Sequence, residues 1–215
     1  MDKKILQDAV AKLRESTQKR KFEQTVDLVA NLKDLNLKKP EEQVDFYMQL
    51  PHDPKRTLKI CGLVGPELIE ESKKHLHKTL TVSDFEKLTK QDIKKLADEF
   101  DFFIAQATIM PKIAQTFGRV FGPRNKMPNP KAGCVVPPKA NLQPIVERLQ
   151  YTIRLRAKSA PIIQVPLGKE SLSDDQLVEN LDSAIEQLIH HLPKEVNNLK
   201  TVMIKLTMGQ AIKVL

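Results

Sequence analysis

From Asp2 to Ser16 the apolar positions Ile5, Leu6, Ala9, Val10 and Leu13 recur at helical spacing, which predicts an amphipathic helix. The period then changes to two. Val26, Leu28, Ala30 and Leu32 share one face of the segment 25–32, and Val44, Phe46, Met48 and Leu50 alternate likewise after the loop at Lys38-Lys39-Pro40. Both segments have the pattern of half-exposed strands in an antiparallel sheet. Beyond the polar, proline-containing stretch 50–56, the residues from Leu58 to Val64 are nearly all apolar. Pro66 can open a helix, and Leu80 to Val82 forms another short apolar run. Ser83 is the expected cap of a helix that runs, with a break near Lys90, to Phe100. A strand at Phe102–Ala105 and helices from about Thr108 to Val120 and from Asn141 to Gln150 complete this middle stretch. Short apolar strands that alternate with helices predict βαβ units around a parallel sheet.

Alternation returns at Tyr151. Ile153 and Leu155 oppose Arg154 and Arg156, Ile162 to Val165 forms a second strand, and Val202, Ile204 and Leu206 alternate with Met203, Lys205 and Thr207. Between them Ser173-Asp-Asp-Gln176 is a capping box that opens a helix with Leu177, Leu181, Ile185, Leu188 and Leu192 on one stripe. The outer segments match each other and differ from the middle. The fold class expected is therefore mixed, α/β and α+β, in two domains. Residues 1–56 and 151–215 form a discontinuous α+β domain whose antiparallel sheet is built from both chain ends. Residues 57–150 form an inserted, Rossmann-like parallel α/β domain.

Composition narrows the class. The chain has 215 residues with 40% apolar and 29% charged positions, enough for real cores, and no apolar run approaches the ~20 residues of a membrane span. No membrane association or secretion is expected, and the leading Met1-Asp2-Lys3-Lys4 does not resemble a signal peptide. Cys61 and Cys134 lack metal or redox spacing, which fits a reduced cytoplasm. The net charge of +8 suggests a polyanionic partner. With no Trp, two Tyr and eight Phe the chain lacks a stacking platform for single strands, so a nucleic acid would be read by backbone, hydroxyls and shape.

Charge position says more than the total. Residues 170–186 carry Glu170, Asp174, Asp175, Glu179, Asp182 and Glu186 without one Lys or Arg, so that helix should face water or repel RNA. Basic residues gather instead at Lys19-Arg20-Lys21, at Lys38-Lys39, and at Arg154, Arg156 and Lys158, where a solvated strand face is the bland alternative.

Enzymatic signatures are missing. None of the five histidines forms a helical i, i+4 metal pair, no Gly-x-x-x-x-Gly-Lys-Ser/Thr loop exists, and Gly62 with Gly65 falls short of Gly-x-Gly-x-x-Gly. There is no Gly-x-Ser-x-Gly elbow, and neither cysteine has a catalytic context. No enzyme activity, cofactor or metal is expected. Two motifs remain. Gly122-Pro-Arg-Asn-Lys-Met-Pro-Asn-Pro-Lys-Ala-Gly133 is a stiff basic loop, either a rigid connector or, through Arg124, Lys126 and Lys131, a contact for tRNA or a second stretch of RNA. Thr207-Met208-Gly209 ends a strand, either as a plain turn or as a contact combining a hydroxyl, a flat thioether and a closely approachable backbone.

Taken together, Lys21-Phe-Glu-Gln-Thr-Val26, Leu50-Pro-His52, Phe102-Phe-Ile-Ala105, the Gly122…Gly133 loop and Lys205-Leu-Thr-Met-Gly209 resemble the L-one family of large-subunit ribosomal proteins, archaeal type. The resemblance spans nearly the whole chain. It implies a structural protein of the cytoplasmic ribosome, monomeric off it, that binds large-subunit ribosomal RNA at the mobile stalk near the tRNA exit site. In some relatives it also implies repression of translation from their own messenger RNA. Lys21, Phe22 and Thr25 stand where the family's first-strand RNA contacts lie, and Thr207, Met208 and Gly209 match its C-terminal contact triad. Lys158 and Ser159 occupy a turn where the family often has an Asp-Lys pair. Asn125 replaces a loop glycine and, as an Asn, tolerates left-handed geometry. A competing expectation is an enzyme or sensor that binds a nucleotide or small phosphorylated ligand at the strand ends of the middle domain.

Overall fold

The computed structural model describes residues 3–16, 18 and 20–215; Lys19 of the basic run and Asp2, the expected helix start, lie outside the described residues. The fold is mixed, with an antiparallel sheet drawn from both chain ends and a parallel sheet in the middle. The chain divides into two compact units, Met1–Arg56 with Gln150–Leu215, and Thr57–Leu149. No helix among the described residues is long and apolar enough to cross a membrane.

In the outer unit, α1 (Lys3–Glu15) buries Leu6, Ala9, Val10 and Leu13, while Ile5, the fifth apolar residue of its stripe, is exposed. β1 (Thr25–Leu32) is the centre of the four-stranded sheet. It pairs antiparallel with β8 (Ile162–Lys169) on one side and β9 (Leu199–Leu206) on the other, and β10 (Ile212–Lys213) extends the sheet past β9. Val26, Leu28, Ala30 and Leu32 face the core, and Thr25, Asp27, Val29 and Asn31 face outward, as period two dictates. β2 (Val44–Gln49) does not join this sheet. It pairs with β7 (Thr152–Ala157) in a separate two-stranded ladder, still sharing the same core through Val44, Met48, Ile153 and Leu155.

Helix α7 (Asp174–His191) starts at the expected capping box: Gln176 N donates to Ser173 Oγ, and Ser173 N donates back to Gln176 Oε1. Its buried stripe contains one polar residue, Asn180, fully buried. The reason is local. Pro166 cannot donate to the β1 ladder, and the pairing skips Leu167 as a bulge. Asn180 Nδ2 donates to the Leu167 carbonyl at 3.0 Å and to His52 O at 3.2 Å, while His52 N donates to Asn180 Oδ1 at 2.9 Å. One amide thus fixes both the bulge and the segment after Leu50.

The middle unit has the parallel order β4-β3-β5-β6, with β3 at Ile60–Val64, β4 at Lys78–Thr81, β5 at Phe102–Gln106 and β6 at Val135–Val136. Every residue of β3 is buried, which explains its unbroken apolar run. Its helices are α2 (Ile69–His75), α3 (Val82–Phe85), α4 (Lys90–Glu99), α5 (Met110–Arg124) and α6 (Gln143–Tyr151), the last running on from this unit into β7. Ser83 lies inside α3 and does not cap it. Asp84 instead accepts from Thr81 N at 2.9 Å, and Asp92 repeats the device with Thr89 for α4. Phe85, Phe103, Phe117 and Phe121 pack ring against ring, with centroids 4.3–5.0 Å apart. Most of the chain's aromatic surface is therefore spent in cores.

Candidate nucleic-acid interface

The ends of β1, β8 and β9 meet at one edge of the outer unit's sheet, because Thr25 opposes Lys169 and Val26 opposes Leu206. Beyond Leu206 the chain turns, Gly209 N donating to Leu206 O at 2.9 Å. That turn is tied to Gln24 and to Thr25, the first residue of β1, by four hydrogen bonds. Thr207 N donates to Thr25 O (3.1 Å), Thr25 N donates to Thr207 Oγ1 (3.1 Å), Thr207 Oγ1 donates to Thr25 O (3.4 Å), and Met208 N donates to Gln24 Oε1 (3.1 Å). The Thr207 hydroxyl is thus engaged within the protein as acceptor and donor. Its neighbours are displayed: Met208 is 61% exposed and Phe22 51%, an arrangement costly in water unless something covers it. A cavity of about 280 Å³ beside them is lined by Ser16, Gln18, Arg20, Met208, Gly209 and Gln210. Arg14 steadies this edge, donating to Glu170 O at 3.1 Å and Leu172 O at 2.6 Å and pairing with Asp174.

The fold therefore brings together Phe22, Thr25, Thr207, Met208 and Gly209, with Lys21 exposed one residue before Phe22. It adds residues that the sequence did not single out. Gln24 is fully buried and supports the Met208 backbone. Lys169 donates from Nζ to Thr25 Oγ1 at 3.2 Å, and Lys205 lies opposite Asp27 on β9. Burial raises the Asp27 carboxyl above the usual range, against the opposing pull of Lys205 and Lys169. Lys205 had an alternation signal in the sequence, but only the strand register shows which residues flank β1.

The remaining candidates lie elsewhere. Leu32 N donates to Pro161 O, so the turn holding Lys158 and Ser159 sits at the other end of β1, about 23 Å of strand away. Arg154 clamps Asp45 through two bonds of 2.7 and 2.9 Å, and Lys158 adds a third at 2.8 Å. Burial would raise the Asp45 carboxyl, but these cations outweigh it and hold it at about 2. Arg154 and Lys158 are thus committed to an internal ion cluster; Arg156 and Ser159 are exposed.

In the middle unit, the stretch expected as a loop from Gly122 begins later: Gly122, Pro123 and Arg124 continue α5, which ends at the left-handed Asn125 and not near Val120. Arg124, the last helical residue, donates to Lys94 O at 3.2 Å and pairs with Asp98, and Lys126 donates to Phe100 O at 2.9 Å and Asp101 O at 3.2 Å. Both cations finish the C-terminal end of α4, where they complement its dipole. Lys131 is exposed, with its backbone N–H on Asn129. Asn125 adopts the left-handed conformation at φ 57°, as its amide side chain permits, and Gly133 does so at φ 75°. At the strand ends of this unit Gly65 N donates to the buried Gln106 side chain at 2.8 Å. A nucleotide phosphate would find that N–H already taken. Cys61 and Cys134 are buried, their thiols pushed up by burial to about 12 and about 11, and no group of three metal-ligating side chains occurs among the described residues.

Comparison with known proteins agrees with this architecture. The family model described as the Ribosomal protein L1p/L10e family matches residues 13–210. The large ribosomal subunit protein uL1 of Thermococcus kodakarensis is 39% identical over 99% of this chain and 98% of its own. Those of Nanoarchaeum equitans (39%, 97% of this chain and 98% of theirs) and Methanocaldococcus jannaschii (34%, 100% and 96%) are similar along their whole length as well. With the match covering both units, the chain belongs to the ribosomal protein L1p/L10e family.

Proposed function

We propose that this chain is a structural, non-enzymatic protein of the large ribosomal subunit, of the archaeal uL1 type, working in the cytoplasm. It binds ribosomal RNA through the edge where β1 and the turn after β9 meet. The observation that carries this reading is the four-bond tie between residues 24–25 and 207–208, which fixes the turn that carries the exposed Met208, with Phe22 exposed two residues before Gln24. A platform tied by backbone and side-chain bonds, with two exposed apolar side chains, suits folded RNA, whose riboses and bases offer both hydroxyls and flat faces. The stalk near the tRNA exit site is the RNA element we assign to it, with repression of its own messenger RNA as a second use of the same edge. Lys131 is the middle unit's freest candidate for a tRNA contact, and off the ribosome the chain is taken to be a monomer.

The test is co-sedimentation with large subunits in high salt, set against calorimetry with nucleotides. Retention of the wild-type chain and its loss in Met208→Ala combined with Phe22→Ala support the reading. Tight nucleotide binding without ribosome association overturns it.

A further inference from the structure

On the outward face of the four-stranded sheet, next to the Thr207 turn, two lysines flank the central strand. Lys205 lies opposite Asp27 across the β1–β9 ladder, and Lys169 lies opposite Thr25 across the β1–β8 ladder. Adjacent strands are about 4.8 Å apart, so both ammonium groups reach the surface above β1. The Lys169 ammonium does so directly, since it bonds Thr25 Oγ1 at 3.2 Å. Asp27 sits between them and feels both charges. Beside them a cavity of about 270 Å³ is lined by Asp27, Val29, Gln164, Pro166 and Lys205.

We propose that Lys169 and Lys205 form a phosphate-binding pair for the RNA backbone, and that Asp27 is a fixed carboxylate limiting the strength of that contact. The inference rests on the RNA-binding reading above and extends it from the edge of the sheet onto its open face. A phosphate seated over β1 would meet two ammonium groups and the Thr25 hydroxyl. Because that hydroxyl's oxygen already accepts from Lys169, its own proton is left to donate outward. The carboxylate's cost is electrostatic: it repels the incoming phosphate and takes part of the lysines' field.

The experiment measures affinity of the full chain for large-subunit ribosomal RNA across a salt series, with circular dichroism checking that each variant is folded. Methionine keeps most of a lysine's apolar stem, so Lys169→Met and Lys205→Met remove charge with little loss of packing. Each should weaken binding about five- to tenfold at 0.15 M salt and reduce the slope of log affinity against log salt by about 1. Asp27→Asn should tighten binding. Thr207→Val with Met208→Ala serves as the control for the edge itself. Lysine variants with wild-type affinity and slope, beside a weakened control, overturn the phosphate pair and leave the edge reading standing. If control and lysine variants all bind as wild type, both readings fall. Weaker binding by Asp27→Asn also overturns the proposal, because the carboxylate would then be a support for the lysines and not a limit on them.

Discussion

Replacing Thr207 by valine removes one hydroxyl at nearly constant shape, and the structure fixes what that hydroxyl does. It accepts from Thr25 N at 3.1 Å and donates to Thr25 O at 3.4 Å, in an exposed position. The second bond is long and Thr25 O keeps its partner Thr207 N, so the first carries most of the effect. A net hydrogen bond contributes about 0.5–1.5 kcal/mol, and water can reach Thr25 N here, so the lower half of that range, about 0.5–1 kcal/mol, is expected. In a unit of this size that lowers Tm by about 2–4 °C, measurable by thermal or urea unfolding. RNA affinity should fall with it. The hydroxyl itself is spent on Thr25, so the loss comes through the loosened display of Met208, about 1 kcal/mol or roughly fivefold by filter binding. Thr207→Ser should restore both. A valine variant with unchanged stability and unchanged affinity would refute the role given to this tie, and equal losses in the valine and serine variants would show that the hydroxyl is not the cause.

Asn180→Leu should be among the most damaging single changes in the outer unit. It orphans His52 N and Leu167 O in a buried site, for about 3 kcal/mol or more by urea denaturation, and a loss under 1 kcal/mol would contradict the bonding described. Asp45, held at about 2 against an unfolded value near 3.9, contributes stability that is present above about pH 4 and is lost as pH falls toward 2. Asp45→Asn should therefore lose about 1 kcal/mol at neutral pH, solvent screening having reduced the full pairing energy, and flatten the acid limb of the stability profile. Cys61 and Cys134 should resist alkylation at pH 8 in the native protein and react fully in denaturant, since thiols pushed up to about 12 and 11 hold almost no thiolate. Fast native labelling of both would contradict their burial.

Much of this was legible in the alternation of residues. Period two put Val26, Leu28 and Ala30 on one face, and an unbroken apolar run between helices put β3 into a parallel sheet, because face and burial are properties of a strand by itself. Partnership is not. Nothing in 44–49 says that β2 pairs with β7 and not β1, and nothing in 158–159 says that their turn lies at the far end of the sheet from Thr207. The same limit hid Lys169 and Gln24, whose roles exist only through residues some 140 to 180 positions away. Cations were the least legible. Arg124 and Lys126 resemble free loop charges in sequence, yet they cap α4, and Arg154 with Lys158 is bound to Asp45. Asn180 looks out of place in an apolar stripe until the proline-induced bulge at Leu167 supplies its partner.

RNA should lie against Met208 on the outer unit. A photo-crosslinking side chain placed at position 208 of the full chain, irradiated in large subunits washed with high salt, tests it directly. Crosslinks from position 208 into large-subunit ribosomal RNA, much stronger than those from the same group at Lys131, are expected. Crosslinks confined to position 131, or from 208 only into protein, would contradict it.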